Sequence, residues 1–217
     1  MRKFFGTLCL AATLLTWVGC SCNQQENATS DNTADIVMNN ILTRKSVRSF
    51  TTDTIAADVM QQLLKAAMAA PSGMNIQPWQ VVILTDRSHI DALLGGEGHN
   101  GNIFRQAAAA VVLCADTTVT RAPRDNPDGE KVTMPNPLWR DDMGACTENL
   151  LLAVEAYGLG ALWTACYPFA DRMAPVREDL GLPSEVVPYC VVAIGHPAGD
   201  TQPKDKWDAG KVHTERW

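Results

Sequence analysis

The sequence predicts an α+β domain, with helices and apolar strands sharing one core, on three observations. Apolar residues recur at helical spacing through residues 55–70 and again, over a longer stretch, through residues 141–157. Four apolar runs of strand length, residues 79–84, 108–115, 161–165 and 186–194, alternate with them and are bounded by Gly, Pro and Asp. The 217 residues are 46% hydrophobic and 19% charged, enough to bury a sizeable single core. The formal net charge is -6, and removing Arg2 and Lys3 with a leader makes it 16 minus 24, or -8, which argues against a nucleic-acid surface.

Residues 1–22 read as a leader. Arg2 and Lys3 form a basic start, residues 4–18 are mostly apolar, and the run is too short and too early for a stable transmembrane span. Gly19-Cys20 resembles a bacterial lipoprotein processing site. That implies a signal peptide over residues 1–19, a lipid on Cys20, and a domain outside the cytoplasm, held at the cell envelope by the lipid anchor alone; Trp17 stands where Leu is usual, and Cys22 is the alternative site. Residues 20–35 are polar and aperiodic and read as a flexible tether, leaving residues 36–217 as the domain. None of the seven cysteines has zinc-site spacing, and Cys114, Cys146 and Cys190 sit in apolar stretches as buried free thiols would.

Taken in order, an apolar helix over residues 36–42 leads to the cluster Arg44-Lys45-Ser46-Val47-Arg48-Ser49-Phe50, which continues into a helix start at Thr51-Thr52-Asp53. Pro71 ends the helix through Ala70. Residues 90–94 form a short helix, residues 95–102 a surface loop without the Lys and Ser/Thr of a phosphate-binding P-loop, and residues 117–137 a long aperiodic loop. Gly158 and Gly160 close the long helix. A short helix over residues 172–180 precedes the last strand, the turn Gly195-His196-Pro197, and a tail carrying Lys204 and Lys206.

Two polar stretches carry the chemistry. Arg44, Lys45, Ser46 and Arg48 combine cations with a hydroxyl, a set suited to a phosphate monoester. Pro71-Ser72-Gly73-Met74-Asn75-Ile76-Gln77-Pro78-Trp79 is a turn-forming, donor-rich loop between helix and strand, in which Pro78 biases Gln77 toward extended geometry. These two motifs, in this order and at this separation, resemble those of the nitroreductase family of FMN enzymes, Arg-Arg-Ser-x-Arg and Pro-Ser-x-x-Asn-x-Gln-Pro-Trp. Lys45 replaces a second Arg, keeping charge but losing the bidentate fork. Residues 142–163 add a third match, Asp-x-Gly-Ala-x-x-x-Asn-Leu-Leu-Leu-Ala through Gly-Leu-Gly to Trp163.

The resemblance implies a mixed, largely antiparallel sheet flanked by helices, in an intertwined homodimer whose tail to Trp217 wraps the partner. It implies FMN held by Arg44, Lys45, Ser46, Arg48 and Lys206, with Lys204 second, at its phosphate and ribityl chain. Asn75 and Gln77 would bond the polar edge of its ring, Pro71, Ser72 and Met74 would line the wall beside it, and Thr164 and Ala165 would approach it from the next strand. The chain lacks a Ser-His-Asp order, a carboxylate-pair motif and a metal cluster, so the cofactor supplies the chemistry and no side chain is assigned a catalytic role. The implied reaction is hydride transfer from NAD(P)H, by a ping-pong cycle, to a small electron-poor acceptor such as a nitroaromatic or quinone. An envelope location would put NAD(P)H out of free supply, leaving a flavin-binding lipoprotein with another donor, or a non-enzymatic module keeping the fold, as alternatives.

Overall fold

The computed structural model describes residues 25–96, 100–123 and 125–217, with side chains from residue 32 on. Among the described residues six α-helices and six strands follow in the order α1 (Gln25–Thr43), α2 (Ala57–Met68), β1 (Trp79–Leu84), α3 (Arg87–Leu94), α4 (Gly101–Gln106), β2 (Ala109–Asp116), β3 (Thr118–Arg121), β4 (Val132–Pro135), α5 (Trp139–Ala156), β5 (Gly160–Ala165), α6 (Ala170–Asp179) and β6 (Val186–Gly195). The compact unit that holds them from Met38 onward ends at Trp217. Helix α1 begins inside the stretch read from sequence as a tether.

The main sheet has the order β1-β2-β6-β5, and every neighbouring pair in it is antiparallel. Strand β2 explains why its sequence reads as a continuous apolar run. Ala109, Val111, Leu113 and Ala115 face a core shared with α2 and α5, while Ala110, Val112 and Cys114 face a second core on the side of α3, α4 and α6. A strand covered on both faces has no polar side to alternate with. Helix α5 is buried along Met143, Cys146, Leu150 and Val154, each with at most 1% of its surface exposed. Its C-terminus is a Schellman cap, in which Leu159 N–H reaches Val154 C=O, Gly158 N–H reaches Glu155 C=O, and Gly158 takes φ 67°.

Several expectations are corrected. The helix expected from Thr51 starts at Ala57. Residues 46–51 are instead drawn out along the sheet, with Ser46 bridging Ala161 in parallel, Phe50 bridging Pro197, and Thr51 N–H donating to His196 C=O at 2.9 Å. The stretch read as one aperiodic loop contains the hairpin β3–β4, whose strands alternate no buried and exposed faces because both sides are largely solvated. Gly160 is not part of the helix cap. It opens β5, where an added Cβ would lie 2.7 Å from Val47 Cβ, so its missing side chain is what lets the 46–50 segment lie against the sheet. Among the described residues no helix is long and apolar enough to cross a membrane.

Candidate functional site

The N-terminal cations are anchored on α5. Arg44 Nε lies 3.0 Å from Glu148 Oε1 and Lys45 Nζ 2.8 Å from Glu155 Oε1. Glu148 and Glu155 are seven residues apart, close to two full turns, and therefore share one flank of the helix. Only Nε of Arg44 is engaged there, which leaves its two terminal nitrogens for the cavity beside it. That cavity, of about 680 Å³, is lined by Arg44 together with Lys204, Asp205, Lys206 and Trp207 of the tail and by Ile41 and Leu42, so three cations outnumber one carboxylate. Ser46 pairs with Ala161 at the edge of β5, and Arg48 is exposed, donating to Ser46 C=O at 3.2 Å. Cations from the two ends of the domain thus meet around one space.

Three residues beyond Ala161, a rise of about 10 Å along a strand, β5 opens onto a second cavity of about 600 Å³. Thr164 and Ala165 line it, with Asn100, Phe104, Cys166 and Arg172. The β pleat sends Leu162 and Cys166 to the core of α3, α4 and α6, and Trp163 and Tyr167 to the opposite core. Asn100 donates Nδ2–H to Thr164 Oγ1 at 3.0 Å, and Arg172 donates to Ala165 C=O at 3.2 Å. Asn100 was legible only as part of a polar loop; nothing in its sequence neighbourhood marks it as a cavity residue. Burial pushes the Cys166 thiol up to about 11, against the pull of the Arg172 charge, so it stays protonated near neutral pH and is a poor nucleophile. The same strand end is shaped by a bulge in β6, where Tyr189 is skipped in the pairing with β2 and its carbonyl accepts from both Cys166 and Tyr167 N–H.

The loop of Pro71, Ser72, Met74, Asn75 and Gln77 sits elsewhere and lines neither cavity. Gly73 N–H donates to Asp142 Oδ1 at 2.8 Å, and Asn149, seven residues along α5 from Asp142, donates to Ala66 C=O at 3.1 Å. These residues mark the α2 flank of α5, about 100° around the helix from Glu148. Within one chain, the loop and the N-terminal cations occupy different flanks. The extended geometry expected at Gln77 is corrected: Met74, Asn75 and Gln77 all take left-handed φ, at 55°, 54° and 56°. Local bonds hold this conformation, Gln77 N–H to Ser72 Oγ at 3.0 Å and Gln77 Nε2–H to Asn75 Oδ1 at 2.9 Å. Three such residues in four positions store backbone strain of the kind found at ligand clamps. Buried polar atoms without partners adjoin it: Asp142 Oδ2, Asn136 Nδ2, and Nε of Arg121, whose Nη1 contacts Met74 Sδ at 2.8 Å.

Residues 41–196 match the Nitroreductase family. A relative from Archaeoglobus fulgidus named "Putative NADH dehydrogenase/NAD(P)H nitroreductase" is 34% identical over 181 residues, 82% of this chain and 96% of its own. A crystal structure of a protein of the same name from Bacteroides thetaiotaomicron superposes with TM-score 0.73 at 34% identity, over 84% of this chain and 98% of that one. The NADPH:FMN oxidoreductase of Vibrio harveyi, solved with NAD+, matches with TM-score 0.68 at 27% identity, over 83% of this chain and 77% of its own. These matches overturn the expected envelope location. The family segment starts only at residue 41, and the Archaeoglobus protein is matched over nearly its whole length, so its domain carries no counterpart of the leader. Cys20, the expected lipid site, lies outside the described residues. The chain belongs to the nitroreductase family.

Proposed function

We propose that this protein is an FMN-dependent NAD(P)H oxidoreductase that reduces small electron-poor acceptors, nitroaromatics or quinones among them. The observation that carries the reading is a pair of cavities, one beside the segment that bridges β5 through Ser46 and Ala161, the other lined by the end of the same strand. One gathers Arg44, Lys204 and Lys206, three cations suited to a phosphate dianion, and the other has apolar walls with a few convergent polar groups, suited to a planar ring. When bound, FMN supplies the redox chemistry, accepting a hydride from the nicotinamide donor and delivering it to the acceptor.

The protein's own residues bind and orient. Arg44, Lys204 and Lys206 neutralise the phosphate, with Lys45, Ser46 and Arg48 holding the approach to it, and Thr164, Ala165 and Asn100 set the ring's position. Donor and acceptor use the same space in turn, which gives ping-pong kinetics. Ser72, Asn75 and Gln77 complete the site from a second copy, since in their own chain they sit on the other flank of α5. Exposed apolar residues support such a homodimer: Leu42 is 67%, Trp207 75% and Trp217 101% exposed, beside the Arg44 cavity and along the tail.

The test is the visible spectrum of the purified protein before and after adding FMN, then NADH or NADPH. A flavin band bleached by either nucleotide is the expected result. A band unmoved by both refutes the nicotinamide donor, and no band in excess FMN refutes the flavin reading.

A further inference from the structure

The loop over residues 71–77 meets the β3–β4 hairpin through a sulfur and a guanidinium. Met74 takes a left-handed φ of 55° and is 42% exposed, and Arg121, the last residue of β3, brings Nη1 to 2.8 Å from its Sδ. A thioether is a weak acceptor, so the guanidinium gains little from this contact. Nε of the same side chain is buried without an acceptor, and among the described residues Arg121 forms no ion pair. A buried cationic donor left without an acceptor is costly. One oxygen atom on the Met74 sulfur would relieve that cost. A sulfoxide turns an apolar side chain into a polar one, and its oxygen would stand one bond from the atom that Arg121 already touches, where a charge-assisted hydrogen bond replaces a weak one.

We propose that Met74 is an oxidation site, at which a peroxide converts the thioether to a sulfoxide that Arg121 captures, tying the 71–77 loop to the hairpin. With hydrogen peroxide the O–O bond breaks and an S–O bond forms. The second oxygen leaves as water with both protons, and sulfur loses the two electrons that the peroxide gains. Inside the loop Asn75 N–H donates to Ser72 C=O at 3.0 Å, Ile76 N–H to Gly73 C=O at 3.2 Å and Gln77 N–H to Ser72 Oγ at 3.0 Å. These bonds open when the loop does, and a stronger tie between Met74 and Arg121 makes that opening rarer. Neither the step nor its readout needs a bound flavin.

The full chain is treated with hydrogen peroxide, the methionines are assayed by peptide mass spectrometry, and amide hydrogen exchange over residues 71–78 is measured before and after. Met74 gains one oxygen together with Met38 and Met68, which are 51% and 43% exposed, while the buried Met60 and Met143 resist. Exchange at Asn75, Ile76 and Gln77 then slows about tenfold, the size of one charge-assisted hydrogen bond gained. Arg121→Leu, which removes the donors, and Met74→Leu, which removes the sulfur, both abolish the slowing, whereas Met68→Leu, at the end of α2, keeps it. Each protein is compared with its own untreated sample, so a change in the resting order of the loop does not mimic the response. A Met74 that stays reduced while Met38 and Met68 oxidise, exchange that is unchanged or faster after oxidation, or slowing that persists in Arg121→Leu overturns the proposal.

Discussion

Gly160→Ala is the substitution by which the geometry around the proposed phosphate-binding segment is most sharply tested. The new Cβ would lie 2.7 Å from Val47 Cβ and Cγ2 and 2.8 Å from Cγ1. Carbon atoms pack at about 3.5–4.0 Å, so the Val47 backbone must retreat by about 1 Å, and Val47, only 2% exposed, has no free volume to retreat into. The Val47 N–H to Ala161 C=O bond, 2.9 Å long, is then stretched beyond hydrogen-bond range. Overpacking costs about 1–3 kcal/mol and the lost bond about 1 kcal/mol more. At about 2–4 °C per kcal/mol for a domain of this size, the melting temperature falls by about 5–15 °C. Arg44, Lys45 and Ser46 move with Val47, so FMN affinity drops as well. Gly158→Ala is the matched control: its φ of 67° makes alanine strained, yet nothing lies within 4 Å of the new Cβ. It costs about 1 kcal/mol and leaves FMN affinity unchanged. Differential scanning calorimetry and flavin fluorescence titration read both quantities. A Gly160→Ala protein that melts and binds FMN like the parent refutes the placement of the 44–48 segment against β5.

Arg44→Ala weakens FMN binding by more than Arg121→Ala, because Arg44 lines the cation cavity and Arg121 lies against Met74 in the other loop; equal losses in equilibrium dialysis count against the site map. Leu150→Ala, at a position with no exposed surface, costs about 2–5 kcal/mol in denaturant unfolding, and a cost below 1 kcal/mol contradicts the central packing of α5. Burial raises the thiols of Cys114 and Cys146 to about 12 and of Cys166 to about 11. Raised folded-state values mean that the unfolded chain releases these protons first, so stability is full below about pH 8.5 and falls as pH climbs toward 12. Urea unfolding across that range checks the sign, and stability that rises with pH there refutes it. If the homodimer is coupled to folding, the melting temperature rises with protein concentration, and a concentration-independent midpoint argues for a self-sufficient single chain.

What was readable in the sequence follows from what each segment packs against. Strand β2 and helix α5 are covered by the cores, so their residues announce strand length and helical period directly. The hairpin β3–β4 gave no such signal because neither of its faces is buried. The course of residues 46–51 was hidden for another reason: it depends on Ala161, His196 and Pro197, partners over a hundred residues away, and local propensity cannot report a pairing of that range. Gly160 read as a cap because it follows Gly158, and only the nearness of Val47 reveals its use. For the site, charge and motif identified Arg44 and the tail lysines, which do line one cavity. The left-handed run at Met74, Asn75 and Gln77 was missed, since these residue types allow but do not require it and Pro78 argues for extended geometry. Asn100 was missed because its role depends on Thr164, on a strand far along the chain.

In the proposed dimer, cations of one chain and the Asn75 loop of a second converge on one flavin. Arg44→Ala and Asn75→Ala proteins, each poor in FMN binding alone, are dissociated, mixed in equal amounts and reassociated. Random pairing makes half the dimers mixed, each with one site intact and one doubly altered, so about one quarter of all sites regain parental FMN affinity. A mixture that binds only the average of its two parents contradicts the composite site.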